Sequence, residues 1–509
     1  MKRYKYIFAL IGLSMIGCSD LEEKPVGILA PESYFTSMDK VEIAVKGAYS
    51  YMANRYFMGR ETAMTLMLRS DIVEISDPNT SVDRRNHNDL TDLANNGQTL
   101  QSWKIMYQII AAANQAIAGA ELVTAEASVK NPLIAQAYFA RAFTYFHLVQ
   151  QFGAIPYFDK PVSDVAEASN VTKTPVADVY ANIIADLQFA KEWLPNTQAT
   201  RALPAKSAAS AYLASVYLTM GDYPNAYTEA TDFISKKGIY NIELEADYQD
   251  LFDADKSGSS LEPIFLIDYI GDSSIGNYST DYLVPLTGIR KDNQFGVGQE
   301  GWAVMVPSLK TYLSYNALDY RRQVSFNATA KFGAVDGPVT PYTGFKAADS
   351  RNQNQPYIAK YTRLRGDTPG AEGRASSQNY IMMRYAEVLL IAAEAVNEIP
   401  GGSIAEAEGY LNLVRARARS GGVTNGNVPS LFPIDAIGST QATFRDAVLE
   451  ERRIELAFEQ KRWYDIVRRK LGPTVFGASG LEGNKSFTDA NYLIAIPAEE
   501  VLRNPNLAL

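Results

Sequence analysis

Apolar residues recur at helical spacing along most of the chain, and residues that start or stop helices sit at the ends of those runs. Val41, Ala44, Val45 and Ala48 mark one face of a first helix, with Asp39 placed to cap it. Trp103, Met106, Tyr107, Ile110 and Ile117 predict another, from about Leu100 to Ala120. Pro132 is placed to open a helix through Ala135 to His147 that is apolar on nearly all faces and therefore interior. His147 reads as a core histidine there, and Gly153 and Pro156 end the run. Pro204 precedes a helix carrying Ala208, Ala209, Tyr212, Leu213, Val216 and Tyr217, and Gly221 ends it. Tyr223, Ala226 and Ala230 then share one face of a second helix. A related pair spans 380–419, turning at Gly401 and Gly402, with Ala407, Leu411, Val414 and Ala418 as its inner stripe. Irregular pairs over about 100–153 and 176–219 follow the same plan. Residues 240–378 break it. Gly, Pro, Ser, Asn and Asp interrupt often, which predicts long loops with short strands and turns. The scattered aromatic residues of that stretch argue against disorder.

The N-terminus has a different pattern. Lys2, Arg3 and Lys5 precede an apolar run from Tyr6 to Ile16, the form of a secretory signal. That run is shorter than the roughly 20 residues a membrane-spanning helix needs, and no later span is as apolar. Met15-Ile16-Gly17-Cys18 resembles a lipoprotein box, with Met15 where leucine is usual. By that resemblance, cleavage follows Gly17 and Cys18 carries lipid. The acidic stretch Ser19 to Glu23 resembles a signal that sends lipoproteins to the outer face of the outer membrane. Pro25, Gly27 and Pro31 then mark an extended leader.

Composition narrows the chemistry. Cys18 is the single cysteine, so no disulfide forms within the chain. With two histidines, His87 and His147, far apart in sequence, neither a zinc site nor a histidine triad is expected. No EF-hand-like run appears, which leaves a carboxylate calcium site as an open possibility. A net charge of −9 argues against nucleic acid. Tyrosine is abundant, at 31, and its flat ring with a polar tip suits both helical cores and wet binding surfaces. No Gly-x-Ser-x-Gly elbow, phosphate-binding loop or His-Glu-x-x-His pair occurs. Glu451, Glu455, Glu459 and Arg462 fall on one face of a helix read through to Arg468. Such carboxylates can serve as acid and base. A ladder of acids closed by Arg452, Arg462 and Asp465 fits a structural helix contact better. Glu387 and Glu394 are expected in a network of the same kind.

The small-residue pair over 204–237 resembles a tetratricopeptide repeat, whose alanines let two helices approach closely. Three C-terminal segments carry a wider resemblance: Arg384 to Asn397 with Leu411 to Ala418, Glu451 to Arg468, and Leu493 to Leu507. Together with the leader and Gly47-Ala48-Tyr49, they make the chain similar to the SusD/RagB family over essentially its whole mature length. Members often continue beyond Asn-Pro-Asn-Leu with a Gln-Asn-Pro-Gly run, whereas this sequence stops at Leu509. The resemblance implies a mainly α fold, a tetratricopeptide-like α–α superhelix with a long irregular insertion. It implies a signal over 1–17, a lipid-anchored leader over 18–40 and one domain over 41–509. Within that domain, 41–239 and 379–509 form the scaffold and 240–378 the ligand-binding region. The implied role is capture of a glycan, or in the RagB-like branch a peptide, for a SusC-like TonB-dependent transporter. No cofactor is implied, and membrane contact is through the lipid alone. A surface glycoside hydrolase is the less favoured alternative. It needs two carboxylates about 5–10 Å apart in a cleft.

Candidate ligand residues come from two stretches that converge in the family. The first offers Tyr269, Tyr278, Tyr282 and Trp302 as platforms, with Asn277, Arg290 and Asn293 nearby. The second offers Asn79, Arg84, Arg85, Asn86 and Asn88. Rings stack on the C–H faces of a sugar, and amides and guanidinium groups satisfy its hydroxyls. Trp302, beside Gly301 and outside any helical pattern, is the first choice.

Overall fold

The computed structural model describes residues 31–162, 164–271, 281–294, 301–334, 336–366, 376–422, 429–483 and 485–508. Its frame is a chain of packed helices: α1 (Met38–Met52), α2 (Glu61–Leu68), α3 (Val82–Asp89), α4 (Gly97–Glu121), α5 (Ala127–Phe152), α6 (Val176–Trp193), α7 (Lys206–Met220) and α8 (Tyr223–Ser235). After the irregular region it resumes with α12 (Tyr385–Glu398), α13 (Ile404–Ser420), α14 (Gln441–Glu455) and α15 (Arg462–Arg468). Between these lie α9 (Leu283–Thr287), α10 (Leu309–Ser314) and α11 (Tyr320–Ser325). Each long helix packs on the next, α4 on α5, α5 on α6, α6 on α7 and α7 on α8. α8 then packs directly on α12, so the superhelix runs unbroken across the insertion. Ala208, Ala209, Ala226 and Ala230 are all fully buried, and their small side chains permit that close approach.

Among the described residues, eight short strands pair two by two. They are β1 (Val73–Ile75), β2 (Pro263–Ile267), β3 (Met305–Pro307), β4 (Phe326–Asn327), β5 (Thr329–Lys331), β6 (Val339–Pro341), β7 (Tyr357–Ile358) and β8 (Tyr380–Arg384). β2 pairs antiparallel with β8, which returns the chain to the scaffold, and β1 pairs with β3. The interior of α5 meets this sheet. Phe139 and Phe143 stand edge-on to Phe265 at 5.0 and 5.5 Å between ring centroids. Edge-to-face pairs of this kind add roughly 0.5–1.5 kcal/mol each beyond area burial.

Several boundaries differ from those the pattern predicts. α1 starts at Met38 after Ser37, and Asp39 sits in its first turn, where it favours the dipole rather than capping. α5 begins at Ala127, so Pro132 lies inside it and does not open it. The polar stretch 77–98 contains α3, which stops where Leu90 turns left-handed at φ 58°. The helix expected through to Arg468 is two helices, because Phe458 and Gln460 adopt φ of 66° and 59° between α14 and α15.

The acidic ladder is buried and paired, though with other partners than those expected. Glu455 meets Arg384 at 2.6 Å, Arg321 at 2.9 Å, and also Arg417. Glu459 meets Arg384 at 2.8 Å and Lys360 at 2.7 Å, and Glu451 meets Arg415 at 2.7 Å. Burial opposes ionisation of Glu455, yet the charges of Arg417, Arg384 and Arg321 hold its carboxyl well below the usual range. Arg452 pairs instead with Asp465 and Glu387, Arg462 with Asp71, and Glu394 with Arg468. No described helix is long and apolar enough to cross a membrane. Among the described residues no group of His, Cys, Asp and Glu is arranged to hold a metal ion.

Candidate functional site

Two short segments run side by side and set the position of Trp302. The amide of Trp302 donates to Pro285 O at 2.6 Å, Gly301 to Ile289 O at 2.9 Å and Ala303 to Gly288 O at 3.0 Å. The backbones touch at two glycines. A Cβ on Gly301 would fall 2.0 Å from Gly288 carbonyl atoms, so only hydrogen fits there. Trp302 is thereby held half-buried against the core, with the ring of Tyr282 6.0 Å away and tilted by 55°.

Tyr282 is fixed in turn by the turn between α1 and α2. Its amide donates to Gly59 O at 3.0 Å, and the Arg60 guanidinium lies 4.7 Å above its ring. Arg60 Nε donates to Glu61 Oε1 at 2.8 Å. Arg55 donates to the Tyr56 hydroxyl at 2.7 Å and lies over that ring. Burial works against the Arg55 charge, but hydrogen bonds to the hydroxyls of Tyr56 and Tyr282 raise its pKa overall. Arg84, on α3, donates to Thr80 Oγ1 at 3.1 Å. Its pKa is lowered by burial, with Glu61 opposing and Arg60 reinforcing the shift. Arg84 Nε and Glu61 Oε2 are buried without a hydrogen-bond partner. The patch therefore offers two aromatic faces, three guanidinium groups and two unfilled polar atoms. That combination suits a ligand with both apolar C–H faces and hydroxyls.

Of the residues picked from the sequence, the structure brings Tyr282, Trp302 and Arg84 together. Tyr269 is not a platform: it is 2% exposed, its ring 4.8 Å from that of Tyr380 and tilted by 55°, because the alternation past β2 turns it inward between exposed Asp268 and Ile270. Arg290 is engaged by Asp349 at 3.3 Å, and its amide bonds Asn352. The Asn293 backbone amide donates to Lys331 O at 2.8 Å and its side-chain amide to Gly333 O. Asn88 accepts from the Ile75 amide at 3.1 Å, which ties α3 to β1. Arg85 donates to Pro78 O at 3.2 Å, and Asn86 closes α3 through its carbonyl. Asn79 is exposed, with its amide turned to Asp77 Oδ1. Cys18, Asn277 and Tyr278 lie outside the described residues. Sequence reasoning missed Arg55, Tyr56, Arg60 and Glu61. Their signal was the run of aromatic and arginine residues between Tyr49 and Arg60, directly after the first helix.

Comparison with known proteins gives a consistent picture. Residues 339–508 match the model of the SusD family, and residues 21–218 match a family described as starch-binding, associating with the outer membrane. SusD-like protein P2 of Formosa agariphila is 50% identical over 510 residues, covering 100% of this chain and 99% of the relative. A SusD homolog from Bacteroides thetaiotaomicron superposes with a TM-score of 0.78 at 21% identity, covering 94% of this chain and 97% of that one. A laminarin-binding SusD-like protein superposes with a TM-score of 0.73 at 22% identity, covering 92% and 98%. Both structures share the fold described above.

Proposed function

The chain belongs to the SusD/RagB family, and from that premise we propose that it is a cell-surface lipoprotein that captures an oligosaccharide or polysaccharide and delivers it to a SusC-like TonB-dependent transporter. The observation that carries this reading is the pairing of Tyr282 and Trp302 with Arg55, Arg60 and Arg84. A sugar ring stacks its C–H face on an aromatic side chain, and guanidinium groups donate to its hydroxyls. The laminarin-binding neighbour and the family model over residues 21–218 support a glycan ligand and an outer-membrane address. Capture requires no covalent chemistry. Among the described residues of the patch the carboxylate is Glu61, which is paired with Arg60, whereas glycoside hydrolysis uses two facing carboxyl groups.

Attachment is proposed through lipid on Cys18, facing the exterior. Cys18→Ser is expected to release the protein from the outer-membrane fraction and to abolish labelling with a fatty-acid analogue; retention of both would remove the anchor assignment. The capture role is tested by titrating residues 19–509 with a panel of polysaccharides, oligosaccharides and peptides while assaying for released sugar. Tight binding of a glycan without cleavage supports capture. Binding of peptides alone overturns the glycan reading, and released sugar overturns the non-catalytic one.

A further inference from the structure

A second pocket, of about 570 Å³, shares no residue with the Trp302 patch. It opens among α10, α11, β4 and the segment after β7, in the size range of small-ligand sites. Among its described lining residues two are arginines, Arg322 and Arg363, and none is acidic. Arg363 donates only to neutral acceptors, Gln249 Oε1 at 3.0 Å, Phe326 O at 3.0 Å and Asn327 Oδ1 at 3.1 Å. Arg322 lies 4.0 Å over the ring of Tyr312, and its Nε is buried with no acceptor. Neither arginine makes an ion pair among the described residues. The adjacent Arg321 shows the contrast, since it is enclosed by Asp319, Glu451 and Glu455. Two more buried polar atoms are open here, Gln249 Nε2 and Gln294 Oε1. In a chain of net charge −9, two partly desolvated guanidinium groups with no carboxylate among the described lining residues are an unbalanced charge in a concave site.

We propose that this pocket binds an anionic saccharide unit, bearing a carboxylate or a sulfate, with Arg322 and Arg363 taking the oxyanion. Guanidinium groups match either oxyanion through paired N–H donors. The pocket is far larger than one inorganic ion. Its amide side chains, including exposed Gln323, supply donors and acceptors for the hydroxyls of the same residue. Burial lowers the Arg363 pKa, with Tyr320 opposing the shift. That the ligand is a sugar rests on the capture reading; the site for an anion does not.

The test is calorimetry with trigalacturonate, a sulfated galactan tetrasaccharide, a neutral galactan tetrasaccharide, inorganic sulfate and hexaglutamate. The proteins are the wild type, Arg322→Gln, Gln323→Ala and Trp302→Ala, each checked by its melting temperature. At least one anionic saccharide is expected to bind the wild type and to remain bound in Trp302→Ala. Its affinity should fall about tenfold in Arg322→Gln, and by a smaller factor in Gln323→Ala, whose exposed side chain leaves folding untouched. Raising NaCl from about 0.05 to 0.5 M should weaken it, and the neutral tetrasaccharide should show no response to Arg322→Gln. Anionic affinity unchanged in both pocket variants, or no anionic saccharide bound at all, would overturn the proposal. Binding lost in Trp302→Ala instead would overturn this pocket and leave capture at the Trp302 patch standing. Sulfate or hexaglutamate bound without any saccharide would overturn the saccharide assignment, whatever the outcome for the Trp302 patch.

Discussion

Trp302 takes its place from backbone bonds that it and its neighbours make, so the path of the loop does not depend on its side chain. Trp302→Ala is therefore expected to weaken glycan binding about tenfold, the loss of one stacking contact. The melting temperature should move by less than about 2 °C. A large loss of stability with unchanged affinity would assign the ring to the core. His147 behaves oppositely. It is buried among Phe57, Phe143 and Tyr464, with Nδ1 2.7 Å from the Tyr464 hydroxyl. Burial, reinforced by Lys461, lowers its pKa to about 3. Glu387, Glu459, Asp465, Arg452 and Arg468 face the same small cavity. The native state holds His147 neutral while the unfolded chain takes up a proton below about pH 6.5, so stability falls as pH drops from 6.5 toward 3. Urea titrations should show a loss on the order of 3–5 kcal/mol from this group across that window. In His147→Gln the slope between about pH 6.5 and 5, above the carboxylate range, should flatten; an unchanged slope would assign it elsewhere.

At the scale of elements, the contact between Gly288 and Gly301 sets the spacing of the two segments beneath the patch. Gly301→Ala must push those backbones apart. It is expected to lower stability by about 1–3 kcal/mol and to weaken glycan binding as well, which separates it from Trp302→Ala. A variant with normal binding and normal stability would show that the contact is not needed. The break between α14 and α15 illustrates why helix periodicity alone misleads here. Glu451, Glu455 and Glu459 keep the spacing of one face, and nothing in that spacing signals the left-handed Phe458 and Gln460. The break is held by tertiary bonds, Tyr361 donating to Phe458 O at 2.7 Å and Gln460 donating to the Tyr361 hydroxyl at 2.9 Å.

At the scale of the molecule, the insertion is joined to the superhelix by buried charge. Arg384 at the end of β8 binds Glu262, Glu455 and Glu459, while Arg321 reaches Glu455 from α11. Removing one member leaves buried carboxylates short of a counter-charge. Arg384→Met is thus expected to cost about 3–5 kcal/mol in chemical denaturation, and a change below about 1 kcal/mol would show that the network relaxes around the loss. The sequence alone carried the long helices of the scaffold, though not all their boundaries or the break at Phe458 and Gln460. Alternating stripes of Ala, Leu and Val at period 3.6 encode each helix and the face it buries, because helix formation and amphipathic packing are local in the chain. It also made Trp302 and Tyr282 candidates, since aromatic residues in a polar, broken stretch lack a helical stripe to join. Only the tertiary structure decided that Tyr269 is core, that Arg290 and Asn88 serve the backbone and ion pairs, and that Arg55, Arg60 and Arg84 gather around Tyr282. Those outcomes depend on contacts between segments up to more than two hundred residues apart, and loop closure over such distances leaves no period in the sequence to read.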